Sequence, residues 1–140
     1  MIAFFDSSAL IYLLEGKPPF GDHVRSALAA LEQEHPGMEV ALSRLTWLEC
    51  RAGPLKADDA EALQLYDTFF ARPDLVWVEL DRNVVELATA IRVRHGLRTP
   101  DALQAASCLQ LRRRHVFLTG DASFRRVHGV DVQIVGKNTP

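Results

Sequence analysis

Short apolar segments alternate with amphipathic helical patterns along nearly all of the 140-residue chain, and this alternation constrains the fold more than any other feature. The segment "IAFF" at residues 2–5 is apolar on both faces, as expected of a strand buried in a parallel sheet. Strands that alternate with helices predict an α/β fold with a mostly parallel central sheet of about five strands, flanked by helices. The other predicted strands are "VAL" 40–42, "LVWVEL" 75–80, "HVFLT" 115–119 and "VDVQIV" 130–135.

Helical patterns fill the segments between these strands. One helix is predicted to begin in "LRTPDALQAA", residues 97–106, with Thr99 at the N-cap and Pro100 at the first helical position. The "GPL" segment at residues 53–55 predicts a turn. Three further helices are predicted at "DHVRSALAALEQE", where Asp22 is the expected cap, at "DDAEALQLYDTFFAR" and at "DRNVVELATAIRVRHG".

Size and composition indicate one compact domain. Hydrophobic residues make up 48% of the chain and charged residues 24%, which allows a core of its own and excludes a disordered protein. No apolar run is long enough to cross a membrane, so no membrane partner is expected. Cys50 and Cys108 form no C-x-x-C pattern, so we expect reduced thiols and a cytoplasmic protein. The domain is expected to span residues 1–137, with a frayed tail at 138–140.

The net charge of −2 hides an uneven distribution along the chain. Residues 92–126 contain eight arginines and two aspartates, a net charge of +6, whereas the rest contains eight basic and sixteen acidic residues, a net charge of −8. Because arginine binds phosphate groups bidentately, the basic segment indicates a phosphate-bearing partner. The alternative is a solvated basic face, and "LRRRH" at the end of a helix also complements the helix dipole.

Four acidic side chains are predicted at one edge of the sheet. Asp6 directly follows the first strand and Asp121 follows "VFLT", and ligands of open α/β sheets bind beyond the carboxyl ends of strands. Asp101 opens a helix on the same side if the crossovers are right-handed. Glu49 lies at the edge of the apolar face of the helix after "VAL". Each acid also has a purely structural explanation: a helix cap, a helix dipole, a turn or a solvated surface.

Four segments occur in an order that resembles the PIN-domain ribonucleases, most closely the toxin subunits of VapBC-type toxin–antitoxin pairs. They are "IAFFDSSALIYLL", "SRLTWLE", "GLRTPDALQAA" and "FLTGDASF", and the resemblance covers nearly the whole chain. It implies a hydroxyl near the first acid, at Ser8, and another before the last acid, at Thr119. Gly120 stands where many relatives carry Asn. The implied catalytic and metal-binding quartet is Asp6, Glu49, Asp101 and Asp121.

Carboxylates gathered in one crevice repel one another, and a hard divalent cation would relieve that repulsion. Oxygen ligands favour Mg²⁺, with Mn²⁺ as a substitute, and none of the five histidines forms a zinc motif such as H-E-x-x-H. Such an ion makes a bound water acidic enough to attack a phosphodiester. The four acids therefore predict a metal-dependent nuclease.

The resemblance further implies an endoribonuclease acting on a tRNA or rRNA, a homodimer, and inhibition by an antitoxin protein. One alternative is an inactive PIN-like module that binds RNA or a protein. A second alternative, a Mg²⁺-dependent phosphatase, is disfavoured because the first strand is followed by D-S-S-A-L rather than D-x-D-x-T. The expected contacts to RNA phosphates are Arg98, Arg112, Arg113 and Arg125.

Overall fold

The computed structural model describes residues 1–136, and within them five strands form one sheet. The strands are β1 (Ile2–Phe5), β2 (Glu39–Ser43), β3 (Val76–Val78), β4 (His115–Thr119) and β5 (Val132–Ile134). Their order across the sheet is β3-β2-β1-β4-β5, and every neighbouring pair is parallel. The predicted α/β fold is confirmed, and the sheet is wholly rather than mostly parallel.

Six α-helices and one 3₁₀ turn connect the strands within residues 1–136. Asp59 and Asp81 cap two of the helices by accepting hydrogen bonds from backbone N–H groups in the first turn, as short acidic side chains do. The helices are α1 (Ser7–Glu15), α2 (Phe20–Glu34), α3 (Arg44–Lys56), α4 (Ala60–Phe70), α5 (Arg82–His95) and α6 (Thr99–Gln110), and the 3₁₀ turn is Ala122–Arg126.

Three predicted helix boundaries are wrong. The carbonyl of Arg98 accepts the first hydrogen bond of α6, so Arg98 is the N-cap and Thr99 is already helical. Asp22 lies inside the first turn of α2, whose N-cap is Pro19. The predicted turn at 53–55 belongs to α3, because a proline near the end of a helix removes only one of its hydrogen-bond donors.

The sheet separates two hydrophobic clusters, and β1 contributes to both. Ile2 and Phe4 pack into the cluster shared with α5 and α6, whereas Ala3 and Phe5 pack into the cluster shared with the helices on the opposite face. All four side chains are fully buried. This alternation explains why "IAFF" is apolar at every position: a central strand of a sheet covered on both faces has no solvent side.

Both cysteines are buried in the fold. Cys50 and Cys108 are free, and burial raises the pKa of the Cys50 thiol to about 12, so that it stays protonated.

Two further predictions concern membrane spans and the end of the chain. Among residues 1–136, no helix combines the length and the apolar character needed to span a membrane. The expected boundary after residue 137 and the tail at 138–140 lie outside the described residues.

Candidate active site

Asp6 lies between β1 and α1 at the carboxyl edge of the sheet, and its side chain is buried. Its Oδ1 accepts hydrogen bonds from Ser8 Oγ at 2.7 Å and from the N–H of Ala9 at 2.9 Å, so Asp6 is the N-cap of α1. Burial nevertheless raises the pKa of Asp6 to about 6, against the opposing effect of these bonds. The structural explanation of Asp6 as a cap is therefore correct, but a neutral cap would do the same work without this electrostatic cost.

The end of β4 is tied to Asp6 through two hydroxyl groups. Thr119 is fully buried, and its Oγ1 donates to Asp6 Oδ2 while accepting from the N–H of Asp121 at 3.0 Å. Ser8 Oγ accepts from the N–H of Gly120 at 3.0 Å. The two hydroxyls implied by the family resemblance thus fix the turn that carries the last acid against the first acid.

The space beside Gly120 is filled by the ring of Tyr12. A Cβ atom at position 120 would approach Cε2 of the Tyr12 ring to 2.8 Å, and a Cβ at Gly136 would approach the same atom to 2.4 Å. The ring therefore occupies the space that a side chain at position 120 needs. A residue larger than glycine at position 120 would require the ring to move, and the glycine removes no carboxylate from the site.

Asp101 lies in the first turn of α6, and its charge interacts with those of the other three acids. Its carboxylate accepts a hydrogen bond from Arg98 Nε at 3.2 Å. Burial raises the pKa of Asp101, the nearby Arg98 lowers it, and the charges of Asp121 and Glu49 raise it. The charge of Asp101 in turn raises the pKa of Asp6. Asp101 is therefore close enough to interact with each of the other three acids.

Glu49 reaches the site from α3. The buried face of this helix contains Thr46 and Cys50, and Glu49 is exposed at its edge, as its sequence position predicts. Glu49 Oε1 accepts hydrogen bonds from Ser7 Oγ at 2.7 Å and from Gln104 Nε2 at 3.3 Å. The sequence analysis did not single out Ser7 or Gln104. Ser7 directly follows Asp6, and Gln104 lies three residues after Asp101.

The sequence also matches a known domain family over most of its length. Residues 3–130 match the PIN domain. The chain belongs to the PIN domain family. The resemblance noted in the sequence is thereby confirmed at the level of the family. No curated protein matches the chain by sequence.

Solved structures from toxin–antitoxin systems share the fold of this PIN domain. VapBC2 of Rickettsia felis, bound to a DNA fragment from its promoter, has a TM-score of 0.76 at 16% identity, over 96% of this chain and 99% of that chain. VapBC-1 of nontypeable Haemophilus influenzae has a TM-score of 0.72 at 18% identity, over 96% and 98% of the two chains. A toxin–antitoxin complex of Klebsiella pneumoniae has a TM-score of 0.67 at 26% identity, over 91% and 94%.

The acids of the PIN domain provide suitable ligands for a hard divalent cation, although they are not gathered around one point. Within residues 1–136, no three Asp, Glu, His or Cys side chains are arranged as a metal site. Each carboxylate is instead turned towards a protein donor; Asp101, for example, is turned towards Arg98. Carboxylate oxygens are the donor set that Mg²⁺ or Mn²⁺ prefers, and a cation would offset the neighbouring charges that raise the pKa values of Asp6 and Asp101. The residues fit such an ion chemically once Arg98 releases Asp101.

A cavity of about 250 Å³ adjoins two of the four acids of the PIN domain. Asp101 and Asp121 line it together with Arg98 and Arg126, so carboxylates and guanidinium groups face one space. Arg125, the predicted phosphate contact, is exposed on the same 3₁₀ turn but is not part of the cavity lining. Arg126 was missed because two adjacent arginines are indistinguishable without the backbone geometry of the turn.

Arg112 and Arg113 lie at the opposite edge of the sheet from the acids. They precede β4, whereas Thr119 and Asp121 lie at its carboxyl end. Arg113 forms an ion pair with Glu39, at the start of β2, with a distance of 2.6 Å between Nη2 and Oε1. A strand of five residues separates the two edges by about 16 Å, at 3.3 Å per residue. The structure therefore does not bring these two arginines together with the quartet.

Proposed function

We propose that this PIN domain is a divalent-metal-dependent endoribonuclease and the toxin of a toxin–antitoxin pair. The observation that carries the proposal is the placement of the acids at the edge of the sheet where parallel α/β proteins bind ligands: Thr119 joins Asp6 to the turn of Asp121, and Asp101 lines one cavity with Asp121. Placing like charges close together costs stability in a protein that only needs to fold. It is useful in a protein that binds a cation there.

Within this proposal the protein groups have distinct roles. The quartet would hold Mg²⁺ or Mn²⁺, and Ser8 and Thr119 keep the carboxylate of Asp6 in place through its two oxygens. The bound ion would supply an acidic water and offset the charge of the phosphoryl oxygens. Arg98, paired with Asp101 in this structure, would be free to bind a phosphate if Asp101 held an ion instead. The proposed metal ligands are Asp6, Glu49, Asp101 and Asp121.

Two groups of arginines in the basic segment would bind the RNA, one group near the acids and the other far from them. Arg98 and Arg125 lie near the crevice and would contact phosphates beside the cleaved bond. Arg112 and Arg113, at the other edge of the sheet, would contact phosphates farther along the strand. Contacts spread in this way would suit a structured substrate such as a tRNA or rRNA rather than a dinucleotide.

A cleft beside Glu49 is the proposed surface for the antitoxin. Two adjoining cavities of about 500 and 290 Å³ lie between α1, α3 and α4, and they share Glu15, Asp59 and Ala62. Their lining combines apolar side chains with four acids and one lysine, and this net negative charge complements an apolar segment that carries basic residues. A basic side chain inserted next to Glu49 would neutralise one acid of the quartet, so binding there would also inhibit cleavage.

The family resemblance also supports a homodimer and a cytoplasmic location. Leu48 and Leu55 are exposed on α3, at 61% and 55%. They lie two turns apart on one side of the helix, and a second copy of the chain would cover them. The two free thiols, Cys50 and Cys108, fit a reducing compartment.

The proposed function is tested by RNA cleavage with Mn²⁺ in wild type and Asp101→Asn. The substitution removes one charge and nearly preserves shape, and we expect cleavage to fall by more than about 100-fold with cooperative melting retained. Asp131→Asn, which makes the same change at an exposed site, serves as the matched control. Equal cleavage by wild type and Asp101→Asn would overturn the assignment. Binding of RNA without cleavage by wild type would favour the inactive PIN-like module.

A further inference from the structure

A buried amide lies at the junction of the three helices that surround Glu49. Gln104, on α6, is 3% exposed, and its Nε2 lies 2.9 Å from Thr46 Oγ1 and 3.1 Å from Ser7 Oγ. The same nitrogen lies 3.3 Å from Glu49 Oε1. One side chain of α6 therefore links the first residue of α1 to two residues of α3.

The hydrogen bonds of this group run in one direction. Ser7 Oγ donates to Glu49 Oε1 at 2.7 Å, and the hydroxyls of Ser7 and Thr46 are 3.1 Å apart. A carboxylate only accepts hydrogen bonds and an NH₂ group only donates them, so the two amide protons of Gln104 are shared among the three acceptors and point towards Glu49. Turning the amide over would set its carbonyl oxygen against Glu49 Oε1, two acceptors in contact. The orientation of the amide is thus coupled to the carboxylate.

The amide also carries an unpaired atom. Gln104 Oε1 is buried, and no hydrogen-bond partner for it is present among residues 1–136. Leaving a buried acceptor unpaired destabilises a protein, whereas a methionine of similar length would fill the same space without that cost. A buried polar group kept under this cost needs a reason other than packing.

We propose that Gln104 is a positioning residue that fixes the Glu49 carboxylate for metal binding, directly and through the hydroxyls of Ser7 and Thr46. The inference rests on the proposed function, since it takes Glu49 to be a metal ligand. Glu49 itself is exposed on α3 and would otherwise sample several rotamers. Holding it in one orientation lowers the entropy lost when an ion binds.

The test is Mn²⁺ affinity by calorimetry, without RNA, for wild type and Gln104→Met. We expect the affinity to fall by about 10- to 100-fold, the effect typical of groups that orient metal ligands, and the cleavage rate to recover at saturating Mn²⁺. The matched control is Ser107→Ala, one turn farther along α6. It removes a fully buried hydroxyl that bonds Ser43 Oγ at 2.9 Å, and it should change the affinity by less than about twofold.

A double-mutant cycle separates positioning from packing. If Gln104 acts through Glu49, Gln104→Met will not weaken Mn²⁺ binding further in a Glu49→Gln background. A loss of the same size in both backgrounds would overturn the inference. Ser7→Ala removes the hydroxyl that donates to Glu49. Ser7 is half-buried, so this substitution carries less risk to folding, and it should also lower the Mn²⁺ affinity.

The outcomes also separate this inference from the proposed function. Wild type that does not bind Mn²⁺ would overturn both, because no metal site would exist. Wild type that binds Mn²⁺ well, with Gln104→Met and Ser7→Ala equal to it, would overturn only the positioning role and leave the nuclease proposal standing.

Discussion

The hydroxyl of Thr119 holds Asp6 and the turn of Asp121 together: it donates to the carboxylate of Asp6 and accepts from the backbone N–H of Asp121. Thr119 is the last residue of β4 and Asp6 directly follows β1, and these two central strands are paired in register. The position of the first acid relative to the last is therefore set by the sheet itself. Loops that move independently would not hold two like charges in this way.

Replacing Thr119 by valine should weaken metal binding without unfolding the protein. Valine keeps the shape but removes the donor to Asp6, so we expect a loss of about 10- to 100-fold in Mn²⁺ affinity. Calorimetry measures the affinity, and thermal melting checks the fold. Thr89→Val, at an exposed position of α5, is the control. Unchanged affinity in Thr119→Val would mean that the hydroxyl serves the backbone turn alone.

The elevated pKa of Asp6 should appear in the pH dependence of stability of the metal-free protein. Its pKa rises from 3.8 in the unfolded chain to about 6 in the native state, so the native state binds the proton more tightly. Stability from this group is complete below pH 4 and is lost as the pH rises to 6. The loss is on the order of 2–3 kcal/mol for two pKa units.

Asp6→Asn isolates this effect because every other titrating group is common to both proteins. The asparagine can still cap α1, and it does not titrate. Urea unfolding between pH 4 and 7 should therefore show the variant gaining stability relative to wild type as the pH rises. Parallel stability curves for the two proteins would contradict the elevated pKa.

Arg126 should contribute more to RNA binding than its neighbour Arg125. Both substitutions to glutamine remove one charge from the same 3₁₀ turn, but only Arg126 lines the cavity next to Asp101 and Asp121. We expect Arg126→Gln to weaken RNA binding more and to reduce the salt dependence of binding by about one unit of slope. Fluorescence anisotropy in a salt series measures both. Equal effects would assign the binding to net charge rather than to the cavity.

Arg98→Gln should bind Mn²⁺ more tightly than wild type while binding RNA less tightly. Arg98 competes with a metal ion for the Asp101 carboxylate, but its side chain is 80% exposed, so the gain should be no more than about fivefold. Mn²⁺-dependent thermal shifts report the change, and wild type itself should melt at a higher temperature as Mn²⁺ is added. A weaker thermal shift in the variant would show that Arg98 supports the site instead of competing for it.

Arg112 and Arg113 should matter only for long substrates. The edge of the sheet at which they lie is about 16 Å from the acids, which corresponds to about five nucleotide steps at 3.4 Å each. Replacing both by glutamine should leave cleavage of a short oligonucleotide unchanged and should raise the KM for a full-length structured RNA. A loss with the short substrate would place the RNA path elsewhere.

The sequence predicted the sheet and the four acids better than the contacts around them. "IAFF" is apolar on both faces, as expected of a buried parallel strand, and "HVFLT" is a second predicted strand, so the edge that carries Asp6 and Asp121 follows from the pattern. The role of Gln104 does not follow, because its contacts depend on the crossing of α6 with two other helices. The boundary at Arg98 was missed since a helix can begin without a capping side chain.

The ring of Tyr12, which lies against Gly120 and Gly136, couples both positions to α1. A Cβ atom at position 120 would lie 2.8 Å from the ring, so a residue larger than glycine there would require the ring to move. The same ring would have to give way to a side chain at position 136. Changes in the turn that carries Asp121 therefore depend on a side chain outside the acidic quartet.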